Sequence, residues 1–155
     1  VTMRALLSIL VTILVLNSSL TSTRAQSPVP HPATITISGD GGGSLYDYID
    51  KYNLMRKSGV NIRIDDICIS ACTLVLALIP KSRICVSEHA LFGFHHAYTV
   101  DRQTGAKVVS VSATKMMFAL YPPRLQEKLK EYGWFTLAPD DMIYIRGSEI
   151  APLCG

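Results

Sequence analysis

Ile67-Cys-Ile-Ser-Ala-Cys-Thr-Leu-Val-Leu-Ala-Leu-Ile-Pro80 is the stretch that decides the fold. Its first three residues read as a short strand running straight into Ser70. Ala71–Ile79 is apolar throughout and long enough for a buried helix, and Pro80 ends it because proline cannot continue the hydrogen-bond ladder. Ser70 therefore stands where a strand becomes a helix.

Working upstream, Val60-Asn-Ile-Arg-Ile64 alternates apolar and polar residues as a strand does, and Asp65-Asp66 turns the chain. Before it, residues 45–58 carry Leu45, Tyr48, Ile49, Tyr52 and Met55 on one helical face, and Ser58-Gly59 stops the helix. Ser44-Leu-Tyr-Asp47 fits a capping box with Asp in place of Glu. Thr34-Ile-Thr-Ile-Ser38 alternates as a first strand and is broken by Gly39-Asp-Gly-Gly-Gly43.

Downstream, Arg83–Val86 and Ala90–His95 are two further β-rich stretches. Thr99–Lys107 reads as a polar loop, with a hairpin tip at Thr104-Gly105. Val111–Tyr121 is a predicted helix cut by Pro122-Pro123. Arg124–Tyr132 is another, with Leu125, Leu129 and Tyr132 inward and Gly133 at its C-terminal cap. Alternating strands and helices imply an α/β fold built from βαβ units.

The chain has 155 residues, 48% apolar and 17% charged, which suits one domain and excludes a disordered or nucleic-acid-wrapping chain. Its formal charge is +3. Residues 1–25 hold Arg4, Arg24 and no acid, so without them 13 basic residues face 12 acidic ones. No basic patch with interleaved aromatics suggests a nucleic-acid partner. The run Ala5–Leu16 is uncharged but short for a membrane span, and small residues follow it, with Thr23 and Ala25 at the −3 and −1 positions. Residues 1–25 are read as a signal peptide, the alternative being a retained anchor, and residues 26–33 as a proline-rich lead-in. Membrane association is expected only through an uncleaved N-terminus.

Export makes disulfides the leading reading of Cys68, Cys72, Cys85 and Cys154, and the expected pairing joins Cys85 to Cys68 or Cys72. Four free thiols remain the alternative. His89, His95 and His96 do not make a metal site, because adjacent strand residues point to opposite faces and no acid completes the set.

Three features carry chemistry. Gly41-Gly-Gly43 lies between a strand and a helix start, where backbone N–H groups can approach an anion, although glycines also make ordinary turns there. Ser70 is either a helix cap or a displayed nucleophile. His95 follows an apolar strand and is either a base or a satisfied surface group.

Taken in order, these residues resemble the Clp protease proteolytic subunit and crotonase superfamily, closest to its small exported bacterial members. Gly42-Gly-Ser44 is similar to the family's strand-end motif, and Cys68-Ile-Ser70-Ala71 to the stretch holding its nucleophile. Pro80-Lys-Ser-Arg83 is similar to the turn after that helix, and Gly93-Phe-His95 to the strand ending in its histidine. The resemblance runs from about Thr34 to His96. It implies a truncated ClpP/crotonase-like fold over residues 34–155, lacking the leading strand–helix unit, with Tyr98–Lys107 the one candidate remnant of an intersubunit handle.

The resemblance further implies Ser70 as nucleophile, His95 as general base, and the N–H groups of Gly42 and Ala71 as an oxyanion hole. Asp140 and Asp141 fall within a residue or two of the family's third catalytic position, with Asp141 taken as the candidate; the alternative is a Ser-His pair in which a backbone group orients the histidine. The implied protein is a periplasmic or secreted serine hydrolase, a peptidase on peptide or protein substrates, without cofactor or metal. A homo-oligomer is compatible with the resemblance. The alternative is a non-catalytic binding or assembly module on the same fold. Acyl-CoA chemistry of the crotonase kind fits an exported chain poorly.

Overall fold

The computed structural model describes residues 32–155. The signal-peptide reading of residues 1–25, and the lead-in before Pro32, lie outside the described residues. Strand β1 (Thr34–Ile37) is followed by helix α1 (Leu45–Ser58) and strand β2 (Asn61–Ile64), and the two strands pair in parallel, Ile35 opposite Ile62. This is the expected βαβ unit. The Ser44 hydroxyl accepts the Asp47 N–H at 3.5 Å to start α1. At the other end Gly59 stops it at φ +76°, a left-handed conformation that glycine adopts without a β-carbon penalty. Tyr52 is the fully buried member of the predicted face; Leu45, Tyr48, Ile49 and Met55 pack half-buried on the core.

Strand β3 (Ile67–Ile69) feeds a 3₁₀ turn over Ser70–Leu74, which runs on as a short helix, α2 (Val75–Leu78). The expected single helix over Ala71–Ile79 is thus tightened in its first half. Side chains take the carbonyls that a regular ladder would use: Thr73 Oγ1 donates to the Ser70 carbonyl at 2.6 Å, and the Tyr52 hydroxyl donates to that of Cys72 at 2.9 Å. Strand β4 (Ile84–Val86) joins β2 in parallel, giving a sheet of order β1-β2-β4.

Strand β5 (Leu91–Phe94) pairs in parallel with β3 and antiparallel with β8 (Ile143–Arg146), forming a second sheet of order β3-β5-β8. Between them, β6 (Tyr98–Val100) and β7 (Lys107–Val109) form a two-stranded hairpin whose connection holds the expected tip at Thr104-Gly105, with strands on either side that read in sequence as loop. Helices α3 (Val111–Leu120) and α4 (Pro123–Glu131) follow, separated at Pro122 as expected. Gly133 ends α4 in the left-handed region at φ +79°. Tyr132 is exposed rather than inward, because α4 buries only the stripe of Leu125 and Leu129. The described residues are therefore mixed α/β, with small sheets and four helices. Trp134, Tyr52, Tyr121, Phe92 and Phe94 are their largest fully buried side chains.

The disulfides differ from the expected pairing. Cys85 joins Cys154, and Cys68 joins Cys72. The reason is topological: Cys85 lies on β4, beside which the C-terminal segment runs, with the Cys154 N–H donating to the Val86 carbonyl at 2.9 Å. Cys68 belongs to the other sheet. Closing a loop with a sequence separation of 69 constrains the unfolded chain by about 4 kcal/mol in the chain-entropy account, against about 2 kcal/mol for a separation of 4. No helix among the described residues is long and apolar enough to cross a membrane.

Candidate active site

Ser70 is the one non-glycine residue with positive φ among the described residues, at +59°. A β-carbon in that conformation crowds the backbone, at a cost of about 1–2 kcal/mol, so the surroundings must hold it there. They do so from three sides. Disulfide-bonded Cys68 and Cys72 bracket the turn. The Ser70 carbonyl receives the Thr73 hydroxyl, and the Thr73 oxygen in turn meets the buried Tyr121 hydroxyl at 2.6 Å. With its proton committed to Ser70, Thr73 accepts from Tyr121, whose phenol is held protonated by burial. The third support is the bond from Tyr52 to Cys72.

Above the turn lies Gly42, itself left-handed at φ +82°. A β-carbon built on it would meet the Ile69 carbonyl oxygen at 2.6 Å, the Ser70 Cβ at 2.6 Å and the Ala71 nitrogen at 2.9 Å. The glycine loop thus touches the serine turn, as the sequence pattern implies, and only a bare α-carbon fits. Ala71 is the second residue of the 3₁₀ turn, where a backbone N–H has no acceptor within the turn.

Gly42, Ser70, Ala71 and His95 line one cleft of about 680 Å³, with Tyr98 and Met116 among its other walls. No Asp, Glu, Lys or Arg lines it. His95 is half-buried, and its Nδ1 contacts the His96 carbonyl oxygen at 2.7 Å. A carbonyl only accepts, so Nδ1 carries the proton and Nε2 is left as the basic nitrogen. Burial holds the imidazole below its ordinary value, against the opposing effect of the hydrogen bond its ring donates to the His96 carbonyl, and electrostatic repulsion from Lys107 and then His96 adds to the lowering. The ring is neutral at neutral pH, the state a general base requires. No hydrogen bond joins Ser70 Oγ to His95 among the described residues.

Asp141 is not brought to this site. It is exposed, its N–H bonds the Ala138 carbonyl, and it does not line the cleft. Asp140 pairs with Lys107 at 3.1 Å. The His95 ring is instead held by a backbone carbonyl one residue away. His96 turns elsewhere, contacting the Trp134 carbonyl through Nε2 at 2.7 Å, and His89 is exposed. No group of three metal-ligating side chains occurs among the described residues.

Asp40 is the site residue that the sequence reading missed. Its Oδ1 accepts the Gly42 N–H at 2.9 Å and the Tyr48 hydroxyl, and its Oδ2 meets Lys51 Nζ at 3.3 Å. Burial works to raise its pKa, but the Tyr48 and Gly42 hydrogen bonds and the Lys51 charge outweigh it and hold the carboxyl below its usual range. Tyr48 is pushed up to about 12, by burial and then by the carboxylate beside it. The Gly42 N–H is therefore occupied by Asp40 rather than open to the cleft. The signal was present: an Asp two residues before Gly42 in Asp40-Gly-Gly42 is the pattern of an Asx turn.

No protein-family model matches this chain, and no curated protein matches it.

Proposed function

We propose that this chain is a serine hydrolase of the acyl-enzyme type, acting on peptide bonds, with a truncated ClpP/crotonase-like fold. The observation that carries the reading is Ser70 itself: a non-glycine residue in the left-handed region, at a strand-to-helix turn, in a cleft shared with a neutral histidine. Strain of this kind is maintained where a side chain must be displayed. In this reading His95 Nε2 takes the Ser70 proton as Oγ attacks the carbonyl carbon, then returns it to the leaving amine. Its Nδ1–H stays on the His96 carbonyl throughout, so the pair works without an aspartate. Ala71 N–H is the oxyanion donor.

An extended peptide is the substrate the cleft suits. Tyr98 and Thr99 line it and belong to β6, which among the described residues pairs only with β7 and so offers a free strand edge for main-chain hydrogen bonds. The two disulfides fit an exported protein in an oxidising compartment.

A fluorophosphonate probe tests the reading. Labelling of the wild-type chain at Ser70, abolished in Ser70→Ala, supports it. An unlabelled wild type, or labelling that persists in the variant, overturns it. The occupied Gly42 N–H and the missing carboxylate at His95 favour a second reading, a binding module that keeps the cleft without the chemistry; a silent probe together with saturable binding of unstructured peptides would select it.

A further inference from the structure

The Cys68–Cys72 disulfide does less for the chain as a whole than Cys85–Cys154 does. Its sequence separation is 4, against 69 for Cys85–Cys154, and both its cysteines are fully buried. A cross-link over so short a loop removes less freedom from the unfolded chain. What it encloses is the strained residue: Cys68 is the middle residue of β3, Cys72 is the middle of the 3₁₀ turn, and Ser70 with its positive φ is centred between them.

The two anchors are themselves tied into the fold. Cys68 pairs with Phe92 across the parallel β3–β5 ladder and forms an isolated parallel bridge with Asp40. Cys72 receives the Tyr52 hydroxyl on its carbonyl. Joining them ties the strand that precedes Ser70 to the turn that follows it. The backbone between cannot straighten while the bond stands, and straightening is the motion that would relieve the left-handed residue.

We propose that the Cys68–Cys72 disulfide is a positioning device for Ser70, a strap that keeps the serine turn displayed toward the cleft and in register with Gly42 and Ala71. The strap acts through the turn and touches no substrate, so it sets the rate of the serine's reaction without contributing to reversible binding. This rests on the hydrolase reading for its rate prediction, but not for its structural one.

The experiment compares three forms of the full chain: wild type, Cys68→Ala/Cys72→Ala, and Cys85→Ala/Cys154→Ala. Two quantities are read on each, amide hydrogen exchange by segment and the saturation kinetics of fluorophosphonate labelling. Without the strap, exchange over residues 70–74 rises about tenfold or more while β2 and β4 keep their protection. Maximal labelling slows about a hundredfold with the half-saturating probe concentration unchanged, the signature of a displaced nucleophile in an intact cleft. Loss of Cys85–Cys154 lowers the melting temperature more, yet leaves both readings at the serine turn as in wild type.

Unchanged exchange over residues 70–74 overturns the proposal, as does a labelling loss expressed only in the half-saturating concentration. A strapless chain that no longer folds overturns it too, because the disulfide would then serve the whole fold. If wild type takes no label, the hydrolase reading fails separately, and the exchange comparison alone decides the strap.

Discussion

Gly42 and Ser70 touch so closely that a β-carbon on the glycine would stand 2.6 Å from the serine Cβ. Real β-carbons do not approach that near, so the contact excludes every other residue at position 42. Both residues have positive φ, +82° and +59°, and two left-handed turns from separate sheets thus meet face to face at the mouth of the cleft.

Gly42→Ala accordingly costs at least about 2 kcal/mol, from the left-handed backbone and the collision with Ile69 and Ser70 together. Gly41→Ala, one residue away with nothing within 4 Å of the added carbon, is expected to be nearly neutral. Urea unfolding of the two variants checks this. Equal losses would show that the loop moves freely over Ser70.

At position 70 the usual order of alanine over glycine should reverse. Helical positions favour alanine by up to about 1 kcal/mol, but a left-handed residue pays for its β-carbon. Ser70→Gly is expected to be more stable than Ser70→Ala by about 1 kcal/mol. Paired thermal melts measure the difference, and a more stable alanine variant contradicts the conformation.

The labelling rate should follow the deprotonation of His95. Burial lowers its pKa, so the rate rises with pH along a limb centred below the ordinary histidine value and is flat above it. His95→Gln removes the limb and most of the rate. Asp141→Asn leaves both within about twofold, since the Nδ1 proton is held by the His96 carbonyl. A tenfold or larger loss in Asp141→Asn would restore that aspartate as orienter.

Asp40 links acid stability to the glycine loop. Its folded-state pKa is lowered, so its contribution is complete above the unfolded value near 3.8 and is lost as pH falls through the lower folded value. Asp40→Asn should flatten the stability profile below about pH 4 while leaving the slope at neutral pH unchanged. Denaturant midpoints at successive pH values test the sign. A variant whose profile keeps the wild-type acid slope assigns that slope to other carboxylates.

Much of the architecture is legible in local pattern. The alternation in Val60–Ile64, the glycine after Ser58 and the proline pair at 122–123 each mark an element or a boundary that the structure has. Patterns that depend on distant partners read poorly. Ile143-Tyr-Ile-Arg146 alternates in the sequence, yet it becomes a strand only because β5 lends it an edge. The β6–β7 hairpin is exposed on nearly every residue, so no apolar period marks its strands and only the turn at Thr104-Gly105 announces it. The disulfide pairing is a matter of which strands lie side by side, which spacing does not encode.

For the site, residue types at an interval locate Ser70, His95, Gly42 and Ala71 around one cleft. A backbone partner for His95 is open in the sequence as an alternative to Asp140 or Asp141, but a carbonyl carries no side-chain signature: every residue has one, and only the backbone path at His95–His96 selects it. Asp40 escaped for a different reason, being read as part of a glycine-rich break rather than as the group that fastens it.

The Cys85–Cys154 bond divides the cleft between two kinds of chain. Everything from β4 onward, His95 and the β6–β7 hairpin included, lies inside one covalent ring, whereas Ser70 and the glycine loop lie on the open arm that enters it. A trypsin cut at exposed Arg102, on the hairpin tip, opens the ring without releasing a fragment. The nicked chain gains one water and stays one molecule until it is reduced. Reduction then frees residues 103–155, and with them the Ser110–Met117 wall of the cleft, while Ser70 and His95 remain together on residues 1–102.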